Sequence, residues 1–169
     1  MNSADLLVDA FNRISEVAHR AVTGLSLEQL AYRPDSEANS IAWLAWHLTR
    51  IQDDRIARIA GTEPLWSADG WAERFALPLD NASTGFGHTS SEVAAVQVES
   101  PDLLTGYLNA VNAATARFVH TISEGDLDRF VDESADPQVR AGALLMQIIS
   151  GEMQHAGQAA YVRGLIERQ

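Results

Sequence analysis

The sequence predicts an all-α fold, a four-helix bundle with a long crossover connection between helices two and three. Three observations predict it. Four stretches carry apolar residues at steps of three and four, the spacing that gathers them on one helical face. Each is bracketed by residues that start or stop helices. Between the second and third, from about residue 62 to 99, the periodicity breaks down among Gly, Pro, Ser, Asn and Asp. A long crossover is an established way of linking bundle helices.

The first helix is expected to start at Ser3 as N-cap with Asp5 in its first turn. Leu6, Leu7, Ala10, Phe11, Ile14, Val17, Ala18 and Ala21 follow at helical spacing, and Gly24 stops it. Ser26-Leu27-Glu28-Gln29 fits a capping box, so a short turn is expected over 27–31. Pro34 ends that turn, and Asn39 or Ser40 caps helix two. Its expected stripe is Ile41, Leu44, His47, Leu48, Ile51, Arg55 and Ile59, closed by Gly61 with Pro64 beyond. The irregular connection holds short helical segments at Trp66–Phe75 and Ser90–Val96.

Helix three starts at Ser100-Pro101, with Pro in the favoured first position. It runs through Leu104, Tyr107, Leu108, Val111, Ala114, Phe118 and Ile122 and is expected to end at Gly125. After a polar connection containing Asp136-Pro137, helix four runs from about Arg140 to Glu167. Its stripe is Leu144, Leu145, Ile148, Ile149, Glu152, His155, Ala159 and Val162. The 169 residues read as one domain, 1–169, with no internal repeat.

Composition narrows the function. The net charge of −11 argues against nucleic acid and against an anionic membrane surface, both of which are bound through Lys and Arg. No apolar run approaches the roughly 20 residues of a membrane span. The N-terminus carries an acid where a secretory signal carries positive charge, so the chain is expected to be cytoplasmic. Cysteine is absent, which removes disulfides, thiolate nucleophiles and Cys-ligated zinc together. Any thiol chemistry must use a thiol brought by a substrate.

Helical phase selects the candidate chemistry. At about 100° per residue, His47 points with Leu44 and Ile51 at the core, and His155 falls in line with Ile148. Glu152 precedes His155 by three positions on the same face. Two nitrogens and a carboxylate from facing helices are the usual make-up of a catalytic divalent-metal site with an open position. The plainer alternative is a core histidine hydrogen-bonded to a neighbour, with Glu152 as the partner of His155. By spacing alone that structural reading is favoured, because Glu-x-x-His recurs by chance.

His88, in Gly85-Phe86-Gly87-His88-Thr89, either caps the helix at Ser90 or approaches the mouth of the core site. His19 and His120, near helix C-termini, fit the helix dipole. Of the adjacent acids, Asp54 is expected at the edge of the inner face and Asp53 in solvent, with Arg50 and Arg163 as pairing partners. Trp43, Trp46, Trp66 and Trp71 read as core or lid packing. No phosphate loop, nucleophile elbow or dinucleotide fingerprint is present.

The segment Asn39-Ser40-Ile41-Ala42-Trp43-Leu44-Ala45-Trp46-His47-Leu48-Thr49-Arg50, with Gln52-Asp53-Asp54, resembles the second helix of the DinB/YfiT-like superfamily. Gln154-His155-Ala156-Gly157-Gln158 through Gly164 resembles its last helix, with a His-x-Gly-Gln signature. Pro34 and the Gly-His-Thr-Ser of 87–90 are similar to its actinobacterial branch. The resemblance spans nearly the whole chain and implies a bundle of DinB/YfiT type with a three-ligand divalent-metal site (zinc or nickel). His47 and His155 match two of the ligands. The third normally stands four residues before the last His, where this chain has Gly151; Glu152, one residue on, is the candidate substitute.

The resemblance further implies a metal-dependent thiol S-transferase, in mycothiol-linked detoxification, with a small electrophile and a low-molecular-weight thiol as partners. Mycothiol as the thiol follows from the same branch and from a composition rich in Ala whose twelve basic residues are all Arg. His88 and Arg50 are the candidates for holding the cosubstrate, and a homodimer is the implied assembly. Two alternatives stand beside this. One is a metal-free, non-catalytic binding or stress-response module that lost its ligand at Gly151. The other is metal-dependent hydrolysis or isomerisation with His88 as acid–base group.

Overall fold

Nine helices and no strand make up the described residues of the computed structural model, 1–131 and 137–168. The long ones are α1 (Ser3–Val22), α3 (Ile41–Ala60), α7 (Pro101–Val119) and α9 (Ala141–Ile166). The short ones are α2 (Leu27–Ala31), α4 (Leu65–Ala68), α5 (Trp71–Phe75), α6 (Ser90–Ala95) and α8 (Glu124–Leu127). Among the long helices, α1 and α3 each pack against both α7 and α9. Leu44 of α3 shares a groove with Tyr161 of α9, and Arg58 shares a cleft with Leu144. The two helices therefore run antiparallel. None of the helices described is long and apolar enough to cross a membrane.

Local chemistry sets most boundaries. Ser26 and Gln29 form the expected reciprocal cap of α2, Ser40 caps α3 through Trp43 N, and Gly61 ends α3 in the left-handed region. Other expectations shift. Asn2, not Ser3, caps α1, because the reciprocal pair needs an acid three residues on, and Asp5 answers Asn2. The single segment expected over 66–75 is two helices, broken at Gly70, whose φ is 69°. Helix α7 ends at Val119, and Gly125 lies inside α8, which Ser123 and Asp126 cap reciprocally. Asp136 falls outside the described residues.

Helix α3 differs most from its predicted single stripe. Buried along it are Trp43, Trp46, Thr49, Arg50, Gln52 and Asp53 as well as Leu44, His47 and Leu48, while Ile51 and Arg55 are only half-buried. One flank faces α9 and the other is covered by the long connection, so two stripes are needed.

Asp53 explains the second stripe. It is buried, and Asp54 is exposed, the reverse of the expectation. Its carboxylate accepts the backbone N–H groups of Leu65 (2.9 Å) and Trp66 (2.8 Å) and the phenol of Tyr107 (2.6 Å). One carboxylate thus caps α4 from a different helix and ties it to α7. Burial pushes the Tyr107 phenol far up, so it stays a donor.

The apolar interior has two halves. One gathers Trp43, Trp46, Trp66, Trp71, Phe75 and Tyr107 beneath the long connection. The other gathers Phe11, Ile14, Leu48, Ile56, Leu145 and Ile148. Each such fully buried side chain contributes roughly 1.5–3 kcal/mol. The halves meet on α3 between Trp46 and Leu48, and on α9 between Ala156 and Ala159.

Candidate functional site: a histidine pair at the seam

His47 occupies that seam on α3, and His155 stands beside the boundary on α9. Their ring centroids are 4.8 Å apart, edge to face. Antiparallel packing of α3 on α9 brings together two residues more than one hundred positions apart. Trp43, one turn before His47, stacks on the His47 ring at 4.4 Å and meets His155 edge-on at 6.2 Å. The tryptophan therefore walls the pair as well as filling the core.

Hydrogen bonds fix the tautomers. His47 Nδ1–H donates to the carbonyl of Thr84 (2.5 Å), which can only accept. His155 Nδ1–H likewise donates to Gln158 Oε1 (3.1 Å). Both rings therefore carry their lone pair on Nε2, and among the described residues nothing hydrogen-bonds either Nε2. Burial lowers the His47 pKa to about 4, assisted by the charges of His155, His88 and Arg55 and opposed by the Thr84 bond. At neutral pH His47 is an uncharged imidazole, the form that ligates a metal or accepts a proton.

Glu152 is 1% exposed, and neither carboxylate oxygen has a hydrogen-bond partner. Burial holds its carboxyl well above the ordinary range, against the pull of Arg55. An orphaned buried carboxyl is costly, and a native fold rarely keeps one without a partner.

The other predicted residues lie around this centre. His88 does not cap α6; Thr89 does, reciprocally with Glu92. The His88 ring stacks on Trp46 at 5.8 Å, accepts Trp43 Nε1–H at Nδ1 (3.1 Å) and donates from Nε2 to Ser83 Oγ (2.7 Å), so both its nitrogens are engaged. Arg50 is buried on the second stripe of α3, 4.0 Å from Asp53 and 5.0 Å over the Trp66 ring. Arg163 meets neither Asp53 nor Asp54. It pairs with Glu167 and donates to the carbonyls of Arg20 and Thr23, capping the end of α1. His19 stays in the last turn of α1 against Thr23, and His120 is the C-cap of α7.

Sequence reasoning missed Thr84 and Gly85. Gly85 has φ 92°, and a Cβ there would lie 2.5 Å from His47 Nδ1. Only glycine lets the loop approach closely enough for Thr84 to hold the ring. The two glycines of Gly85-Phe86-Gly87 were the available signal. Gly151 is the opposite case, since a Cβ there meets nothing within 4 Å.

The donor chemistry of two adjacent imidazoles fits a cation. It does not amount to a closed shell: among the described residues no group of three or more His, Cys, Asp or Glu is arranged to hold a metal ion.

Long antiparallel helices that bring a buried and a half-buried histidine into contact define an all-helical protein whose candidate site lies between two of them. Comparison makes the class specific. The chain belongs to the DinB superfamily, whose family model matches residues 10–159. It is also similar to a conserved protein from Enterococcus faecalis of known crystal structure, with 30% identity and a TM-score of 0.92 over 100% of this chain and 99% of that one. No curated protein matches the sequence.

Proposed function

We propose that this protein is a DinB-type four-helix bundle that binds a divalent ion through His47 and His155 and uses it to transfer a small thiol to an electrophile. The observation that carries the reading is the pair of adjacent imidazoles, each anchored through Nδ1 with its Nε2 lone pair free. When bound, the ion supplies Lewis acidity that favours the thiolate, the nucleophilic form of a thiol. The chain's own part is to hold both rings in the ligating tautomer through Thr84 and Gln158, and to shield one side of the pair with Trp43. Glu152, buried and unpaired, supports the shell or holds a proton beside it. With no cysteine in the chain, the thiol arrives as a cosubstrate, and mycothiol is the proposed one.

The test is incubation of purified protein with mycothiol and monochlorobimane, with zinc or nickel added. Conjugate formation abolished by a chelator and by His47→Ala supports the reading. Absence of turnover with either metal defeats it.

A second reading is favoured by the empty space at Gly151 and the lack of a third converging ligand among the described residues. In it the protein is a metal-free binding module in which the two imidazoles serve only as hydrogen-bonding groups. Stoichiometric zinc or nickel in the purified protein excludes this reading.

A further inference from the structure

A groove of about 680 Å³ runs between the loop at 34–39 and the C-terminal half of α9. It adjoins the histidine pair. Gln158 in its wall is the side chain that accepts from His155 Nδ1, and Leu44 at its floor lies one turn before His47. Volume and position mark it as the place where a molecule reacting at the histidines would rest its remaining part. The groove's chemistry then decides which molecules fit.

The side chains offered are the carboxylates of Asp35 and Glu37, the amides of Asn39, Gln154 and Gln158, and the ring of Tyr161, which is 65% exposed. No Arg or His lines it. The arginines next in the chain to lining residues, Arg33 beside Pro34 and Arg163 beside Val162, are committed elsewhere. Arg33 donates to the carbonyls of Ser36, Ala38 and Ser90 and to Ser90 Oγ. Arg163 is spent on Glu167 and the end of α1. Asp35 uses Oδ1 to accept the N–H groups of Glu37 and Ala38 and keeps Oδ2 free.

We propose that this groove is a subsite for an organic cation, a small molecule carrying a protonated amine close to an aromatic or aliphatic frame. Two carboxylates and amide oxygens accept from the ammonium group, and the open face of Tyr161 receives cationic or flat surface. A carboxylate or phosphate on the ligand finds no counter-charge here and meets a chain of net charge −11. This deepens the S-transfer reading by giving the charge class of the molecule handled, and it rests on that reading only for which end faces the histidines.

The test uses three matched probes, benzylamine, benzyl alcohol and benzoate, titrated into metal-free protein at low salt. Binding is followed by calorimetry and by amide NMR shifts over residues 154–161. Benzylamine is expected to bind most tightly and to shift those amides, and benzoate is expected not to bind. The double variant Asp35→Asn, Glu37→Gln keeps the Asp35 turn acceptor and removes both charges. Two exposed charges at roughly 0.5 kcal/mol each predict about fivefold weaker benzylamine binding. Equal binding of all three probes, tighter benzoate, or an unaffected double variant overturns the proposal. His47→Gln separates it from the function above: S-transfer is lost while benzylamine still binds. If wild type shows no S-transfer but discriminates the probes as stated, the groove assignment stands and the catalytic reading falls.

Discussion

Replacing Glu152 by Gln is expected to stabilise the metal-free protein at neutral pH, an unusual direction for a buried substitution. The side chain is 1% exposed and unpartnered, so the amide inherits nearly the same packing and loses no hydrogen bond. What it removes is the ionisation problem. Burial raises the carboxyl well above its ordinary value of 4.5, so the native protein keeps a proton that the unfolded chain releases. Stability from that proton is complete below the unfolded value and declines as pH rises through it towards the folded one. At pH 7 the gap above 4.5 sets an upper limit of about 3 kcal/mol on the cost. For a chain of this size, that limits the rise in Tm of the variant to at most roughly 6–10 °C at pH 7, shrinking to nearly nothing at pH 4. Thermal unfolding of both proteins in chelator across pH 4–8 measures it. The difference between them isolates Glu152, because His47 titrates alike in each. A variant less stable than wild type at pH 7, or a difference independent of pH, would refute the inference that the carboxyl is buried without a partner. With zinc or nickel present the same variant is expected to lose part of any ion-induced stabilisation.

Gly85→Ala places a methyl against His47 at a backbone angle that L-residues resist. A loss of about 2–3 kcal/mol is expected from strain and the broken Thr84 bond, with disappearance of the slowly exchanging His47 Nδ1–H signal in NMR. Gly151→His has open space at its Cβ and supplies a ligand at the position the superfamily pattern favours. Zinc affinity by competition titration is expected to rise by more than about tenfold, and no gain would mean that the pair cannot converge on an ion with α9. Asp53→Ala strands two buried N–H groups and a phenol. It is expected to cost about 3–5 kcal/mol and to lower Tm by roughly 10 °C, read by the fluorescence of the nearby tryptophans.

The four long helices were legible because periodicity and caps are local properties. Ser40, Gly61 and Ser100-Pro101 act within a turn of where they stand, and a helix wheel suffices to bury His47 and to leave His155 half-buried beside the core. The same wheel misassigned Asp53 and Asp54. Which flank of α3 is buried depends on the long connection folding back over it, and the hydrogen bonds that hold Asp53 come from residues twelve, thirteen and fifty-four positions away.

By itself, then, the sequence determined an all-helical chain, a cysteine-free acidic composition and one imidazole on the inner side of each of two helices, since each follows from residue type and a repeat of about 3.6. Only the tertiary structure decided that the imidazoles meet, that a glycine loop selects the His47 tautomer, that Arg50 is buried beside Asp53 and Trp66, and that Glu152 has no partner. Those outcomes depend on where distant segments lie in space. Helical phase gives a direction from one axis and says nothing of what waits along it.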